Sequence, residues 1–270
     1  MQVLASSLDY TQFLEGIARA PSRVLLLDYD GTLAPFRVRP EEAVPYPEVL
    51  AVIDNIMCAG GTRVVIVSGR PAAELPPLLA LTQRPEIWGS HGWERLQPDG
   101  TLRLEQPSDA ERAVLDEASA AVGAAAAHGA RVERKSASVA VHWRGLAPDA
   151  VAVCRDAATA AWRPYAEGKP LELLLFDGGL ELRSPGCNKQ HAVKAVLSET
   201  PQNAAIAFLG DDITDEDAFR AIRPRGLAVL VRDEFRPTDA DVWLRPPQEL
   251  IEFLRHWIVT APQAAGSDRP

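Results

Sequence analysis

Four apolar residues, Val24-Leu25-Leu26-Leu27, run without a break into Asp28-Tyr29-Asp30-Gly31-Thr32. No other stretch restricts the fold of this chain as tightly. An unbroken apolar run of this length reads as a strand buried on both faces, as in a parallel sheet covered by helices. Two aspartates one residue apart follow at its carboxyl end, where an open α/β sheet binds its ligands. Clustered carboxylates near a core repel each other and are costly to ionise unless a cation or a shared proton compensates. The stretch therefore asks for a divalent metal and offers a nucleophile.

Other segments extend this frame. Residues 63–67, 204–209 and 226–231 join 23–27 as buried strands that end in polar or glycine-rich loops, and 86–88 reads as a further strand. A helix over 46–59 stops at Gly60-Gly61, a C-terminal signal. The middle of the chain has a different texture. Residues 108–128 are Ala-rich and helical with Ser108 as N-cap, and 131–144 alternate as a one-sided antiparallel pair does. Residues 148–162 are helical again, and 171–176 with 180–182 form a hairpin about Asp177-Gly178-Gly179.

The predicted fold is therefore α/β: a doubly wound, Rossmann-like parallel sheet with an inserted smaller α+β cap. The expected division is a core of 1–100 and 184–260, a cap of 101–183 hinged near Gly100 and 184–186, and a disordered tail of 261–270. A length of 270 residues suits one large domain and one small insert.

A net charge of −9 excludes broad nucleic-acid binding, which needs a basic surface. A phosphorylated substrate must then be drawn in by a local cationic pocket or a metal. Cys58, Cys154 and Cys187 are odd in number and widely spaced, as expected of reduced thiols. The N-terminal segment carries Asp9 and Glu15 and lacks the pattern of a leader peptide. No apolar stretch approaches the roughly 20 residues of a membrane span. The expectation is a cytoplasmic protein with no membrane or nucleic-acid partner.

Four polar motifs follow strands or open helices: Asp28-Tyr29-Asp30-Gly31-Thr32, Ser68-Gly69-Arg70, Lys189, and Gly210-Asp211-Asp212-Ile213-Thr214-Asp215. Singly, each has a bland reading as a turn, an N-cap or a solvated surface residue. Together and in this order they supply what phosphoryl transfer requires: a nucleophile, charge neutralisation, donors to phosphate oxygens and an acid for the leaving group. Asp28 can attack phosphorus. Asp30 can protonate the leaving hydroxyl and later deprotonate water. Ser68 and a helix N-terminus can donate to phosphate, and Lys189 can offset its charge. Asp211, with help from Asp215, can complete an octahedral oxygen site for Mg²⁺. Arg70 can contact substrate or pair with an aspartate, and His91 can reach the site or only order its loop.

This order of motifs resembles the haloacid dehalogenase superfamily. The finer pattern resembles the trehalose-6-phosphate phosphatase family, through Leu27–Pro35 as 27–35, Val67-Ser68-Gly69-Arg70, Gly89-Ser90-His91-Gly92-Trp93-Glu94, Val132-Glu133-Arg134-Lys135, His142-Trp143-Arg144, Leu180-Glu181-Leu182-Arg183, Asn188-Lys189 and Leu209–Glu216 as 209–216. The resemblance spans about residues 20–255. It implies Asp28 as nucleophile and Asp30 as acid/base, Ser68 and Lys189 on the phosphate, and Mg²⁺ on the Asp28 carboxylate, the Asp30 carbonyl and Asp211, with Asp215 beside them. Glu133, Lys135 and Glu181 would grip disaccharide hydroxyls, with Arg70, His91 and Asn188 as further substrate contacts. Gln190 departs from the glycine usual after the lysine, which bears on how closely that helix end approaches.

The implied reaction is hydrolysis of trehalose 6-phosphate through an aspartyl-phosphate, with the synthase of the same pathway as a possible partner. Rival readings are a phosphatase of another sugar phosphate (sucrose phosphate or a glucosylglycerol phosphate), a phosphomutase, and a catalytically silent regulatory module with this fold. Asp30 disfavours an ATP-driven pump module, which needs its phosphoryl enzyme to persist.

Overall fold

The computed structural model describes residues 1–123, 127–167 and 171–260. Thirteen strands are described: β1 (Gln2–Val3), β2 (Arg23–Leu27), β3 (Arg63–Val67), β4 (Glu86–Gly89), β5 (Glu94–Leu96), β6 (Leu102–Leu104), β7 (Arg131–Arg134), β8 (Ser138–His142), β9 (Glu172–Phe176), β10 (Gly179–Arg183), β11 (Ala205–Gly210), β12 (Leu227–Val231) and β13 (Val242–Leu244). Helices are α1 (Tyr10–Arg19), α2 (Pro47–Ala59), α3 (Leu75–Leu79), α4 (Asp109–Ala121), α5 (Pro148–Ala166), α6 (Lys189–Ser198), α7 (Glu216–Ile222) and α8 (Gln248–Arg255).

The larger sheet runs β1-β13-β12-β11-β2-β3-β4-β5-β6. Its centre, from β13 to β4, is parallel, and antiparallel strands close both ends. Because side chains alternate along a strand, β2 serves two cores. Leu25 and Leu27 pack with α1, α2, α3 and α8, while Val24 and Leu26 pack with α6 and α7. Burial on both faces is why this run is apolar throughout. Gly60, at φ +73°, ends α2 in the left-handed conformation that its C-terminal signal predicts.

The smaller sheet, β7-β8-β10-β9, is antiparallel. It backs onto α4 and α5 through a separate apolar cluster that includes Leu115, Val139, Val141, Trp162 and Leu182. Ser108 caps α4 in a full capping box with Glu111. The predicted helix over 108–128 is seen as α4, and 124–126 lie outside the described residues, as does the expected tail 261–270. One boundary differs from expectation. β6 pairs with β5 in the larger sheet, so Leu102–Leu104 adds to the core sheet three residues that the 101–183 assignment gave to the insert.

The chain builds β2, β3 and β4 outward on one side, then returns to lay β11, β12 and β13 on the other. The strand order therefore reverses between β2 and β11, and a crevice opens outside the carboxyl ends of strands at such a point. Asp28 follows β2 and Asp211 follows β11, with Leu27 paired to Leu209. The topology alone brings these two carboxylates side by side.

Candidate active site

Both Asp28 and Asp211 are buried, at 3% and 2% exposure. The Lys189 ammonium, at the first turn of α6, donates to Asp28 Oδ1 and to Asp215 Oδ1, each at 2.6 Å. Thr32 donates from its hydroxyl to Asp28 Oδ2 at 3.2 Å. Asp215 accepts the backbone N–H of Asp211 and of Asp212 on its other oxygen, both at 3.0 Å. Gly31 sits at φ +85°, and a Cβ there would fall 2.1 Å from Asp211 Oδ2. Glycine is thus required for its backbone angle and for the approach of the two loops.

Three carboxylates face one ammonium in this cluster. Burial pushes the Asp28 carboxyl up, Lys189 pulls it down, and Asp215 and Asp30 push it up again, with an upward balance. Asp211 rises well above the carboxylate range through burial and the charges of Asp28, Asp215 and Asp212. Burial works against the Lys189 ammonium, yet Asp215 and Asp28 outweigh it and raise its pKa. One carboxylate oxygen from each of Asp28, Asp211 and Asp215 lies within 4.8 Å of the others. Asp211 Oδ1 is buried without a hydrogen-bond partner. An all-oxygen, anion-rich cluster with an orphaned carboxylate oxygen fits a hard divalent cation such as Mg²⁺. Both oxygens of Asp215 already have partners, so its geometry suits orienting Lys189 and the 211–212 peptides.

A cleft of about 870 Å³ opens above this cluster, lined by Asp28, Asp30, Ser68, Arg70, Lys189 and Asp211 from the larger sheet's loops. Its far wall comes from the smaller sheet, with Glu133, Lys135, His142 and Glu181. Ten of the site residues singled out in the sequence, His91 among them, thus meet across one space with Asp212 and Thr214.

Arg70 holds both oxygens of Asp30, at 2.7 Å each, and its guanidinium lies 5.3 Å from the Tyr29 ring centroid. Of the two roles open to Arg70, the pairing with an aspartate is the one observed. Ser68 is buried, and its Oγ accepts the Arg70 N–H at 3.1 Å. Asn188 precedes α6 as its N-cap residue with no side-chain cap bond and is outside the cleft lining.

On the cap wall, Glu133 pairs with His142 Nε2 at 2.8 Å and with Arg131 at 3.1 Å. Burial pushes its carboxyl up, but the His142 hydrogen bond and the Lys135 and Arg131 charges outweigh this and hold it at about 2. Glu181 is 1% exposed. It accepts from the Ser138 hydroxyl at 2.7 Å and lies 3.3 Å from His91 Nε2 and 3.7 Å from Lys135. Those partners overcome its burial and keep it well below the usual carboxylate range. His91 thus spans from the Ser68 loop, whose carbonyl accepts its N–H at 2.9 Å, to the cap strand β10.

The sequence reading missed Thr32, Ser138 and Arg131. Ser138 carries a readable signal, since it lies on the same β8 face as His142, two residues from the next inward position. Thr32 closes the quoted 28–32 motif four residues after Asp28, and Arg131 lies two residues before Glu133 on one face of β7, so both contacts are local and only their roles went unassigned.

Such a switch-point cleft, lined by buried carboxylates and faced by a separate small sheet, is the layout of haloacid dehalogenase-like proteins. A haloacid dehalogenase-like hydrolase from B. subtilis superposes with a TM-score of 0.58 at 15% identity, covering 87% of this chain and 99% of that one. The C-terminal domain of a C. albicans trehalose-6-phosphate phosphatase superposes at 0.83 with 20% identity, covering 97% and 100%. At these identities the likeness is one of fold. The family model for trehalose-phosphatase matches residues 26–243. A trehalose-phosphate phosphatase from Mycobacterium marinum is 33% identical over 245 residues, 86% of this chain and 60% of its own. This chain belongs to the trehalose-phosphatase family. It spans about three fifths of the length of that curated relative.

Proposed function

We propose that this chain hydrolyses trehalose 6-phosphate to trehalose and inorganic phosphate through an aspartyl-phosphate on Asp28. The observation that carries this reading is the meeting of Asp28, Asp30, Ser68, Lys189 and Asp211 in one cleft, faced by the polar cap residues Glu133, Lys135 and Glu181. A silent module would have no need of the full set. The cleft's volume suits a ligand larger than a free phosphate, within the roughly 300–1,000 Å³ common for small-molecule sites.

In the first half-reaction an Asp28 oxygen attacks phosphorus and the bond from phosphorus to the sugar oxygen breaks. Asp30 delivers a proton to that leaving oxygen. In the second, Asp30 takes a proton from water, the water oxygen attacks phosphorus, and the Asp28–phosphorus bond breaks. Ser68 and Lys189 hold the phosphate oxygens throughout. An arriving phosphate competes with Asp30 for the Arg70 guanidinium, which frees the Asp30 carboxyl to carry its proton.

Mg²⁺ would be held by the Asp28 carboxylate, the Asp30 carbonyl and Asp211, with Asp215 orienting the loop behind them. When bound it neutralises charge on the transferring group. The cap, taken as residues 101–183 apart from β6, would close over the sugar and exclude water. The acting site would lie in the cytoplasm, where a trehalose-6-phosphate synthase supplies the substrate. Among the described residues no helix is long and apolar enough to cross a membrane.

Phosphate release from trehalose 6-phosphate, sucrose 6-phosphate and glucose 6-phosphate, with and without EDTA, tests this directly. Trehalose 6-phosphate should be hydrolysed fastest, EDTA should stop the reaction, and Asp28→Asn should abolish it with the fold intact. Preference for another sugar phosphate would move the assignment to that substrate, and substantial activity in Asp28→Asn would remove the nucleophile.

A further inference from the structure

We propose that Arg236 is a positioning residue for the metal-bearing loop, holding Asp211 in the geometry that binds Mg²⁺. The inference rests on the metal reading above. Arg236 lies in the segment between β12 and β13 and reaches back to the 211–212 peptides. Its Nε donates to the Asp211 carbonyl at 3.1 Å and its Nη2 to the Asp212 carbonyl at 2.7 Å. Its Nη1 pairs with the Glu216 carboxylate and donates to the Pro237 carbonyl at 2.9 Å.

Glu216 is itself fixed. It is 7% exposed and accepts from the Thr238 hydroxyl at 2.8 Å and the Asp239 N–H at 2.7 Å. The Arg236 side chain is 17% exposed, so these bonds form with little competing water. A planar guanidinium presents several fixed donors at once, which suits two successive carbonyls and a carboxylate, whereas an ammonium is a single point charge.

The same two residues are held from the opposite edge. Their N–H groups donate to Asp215, as described above, and their carbonyls are taken by Arg236. With both edges of the loop tied, the remaining freedom of Asp211 is its side chain, whose Oδ1 is buried and unpartnered beside Asp28. Arg236 is outside the cleft lining, so its effect passes through Asp211. Groups behind metal ligands typically change metal affinity about 10- to 100-fold when removed.

Calorimetric titration of Mg²⁺ into the purified full chain tests this, with thermal unfolding in EDTA measured alongside. Arg236→Met should weaken Mg²⁺ binding about tenfold, and Arg236→Lys should fall between it and the wild type. A merely structural role would lower the metal-free Tm while leaving the Mg²⁺ affinity of the folded protein unchanged, and that result overturns the proposal. A wild type that takes up no Mg²⁺ would instead fail the metal reading and take this inference with it. Should Arg236→Met not fold, Thr238→Val carries the test, since it loosens the Glu216 carboxylate that holds Arg236. Weaker Mg²⁺ binding in Thr238→Val supports the proposal, and unchanged binding overturns it.

Discussion

Lys189 bridges two buried carboxylates, Asp28 and Asp215, with its side chain only 4% exposed. Removing one partner of a buried ion pair leaves uncompensated charge, which costs about 3–5 kcal/mol. Lys189→Met should therefore destabilise the metal-free protein by about 3 kcal/mol in urea unfolding, as well as removing the phosphate contact proposed for Lys189. Glu133 makes a pH-dependent contribution of known sign. Its folded-state pKa of about 2 lies below the ordinary carboxylate value, so its stabilisation is complete above about pH 4.5 and is lost as pH falls toward 2. The stability difference between the wild type and Glu133→Gln should hold steady from neutral pH down to about 5 and shrink below 4.5. A difference that grows on acidification would show that Glu133 is not held ionised by His142, Lys135 and Arg131.

At the scale of elements, the proposed function gives recognition to the smaller sheet and chemistry to the larger one. Glu133→Ala or Glu181→Ala should cut turnover of trehalose 6-phosphate far more than turnover of a small generic phosphate ester. Equal losses on both substrates would remove the recognition role of the cap. How far these elements could be read in advance follows from what holds each of them. β2, β3, β11 and β12 were legible because burial on both faces makes their runs apolar. β1, of two residues, and β13, of three, carry too little pattern; β13 holds its place by pairing with β12, and β1 by adding to β13 at the sheet's edge. β6 escaped for the same reason. It is exposed along its length and holds its place by pairing with β5.

For the whole molecule, the decisive arrangement is the reversal of strand order between β2 and β11. It places Asp28 and Asp211 together although 183 positions separate them in the sequence. Asp28, Asp30, Ser68, Lys189 and Asp211 were legible because their motifs stand at strand or helix ends, where a parallel sheet binds ligands. The choice of Asp30 as the partner of Arg70 and the grip of Arg236 on the 211–212 carbonyls were not. Both are contacts between distant loops, and no local pattern encodes them. In the proposed reaction Asp28 takes the phosphoryl group. A crystal grown with Mg²⁺ and beryllium fluoride, a mimic of a phosphorylated carboxylate, tests it most directly. The mimic should bond to an Asp28 oxygen, within reach of Ser68 and Lys189. A mimic bound elsewhere, with Asp28 remote from both it and the cation, would rule Asp28 out as the nucleophile.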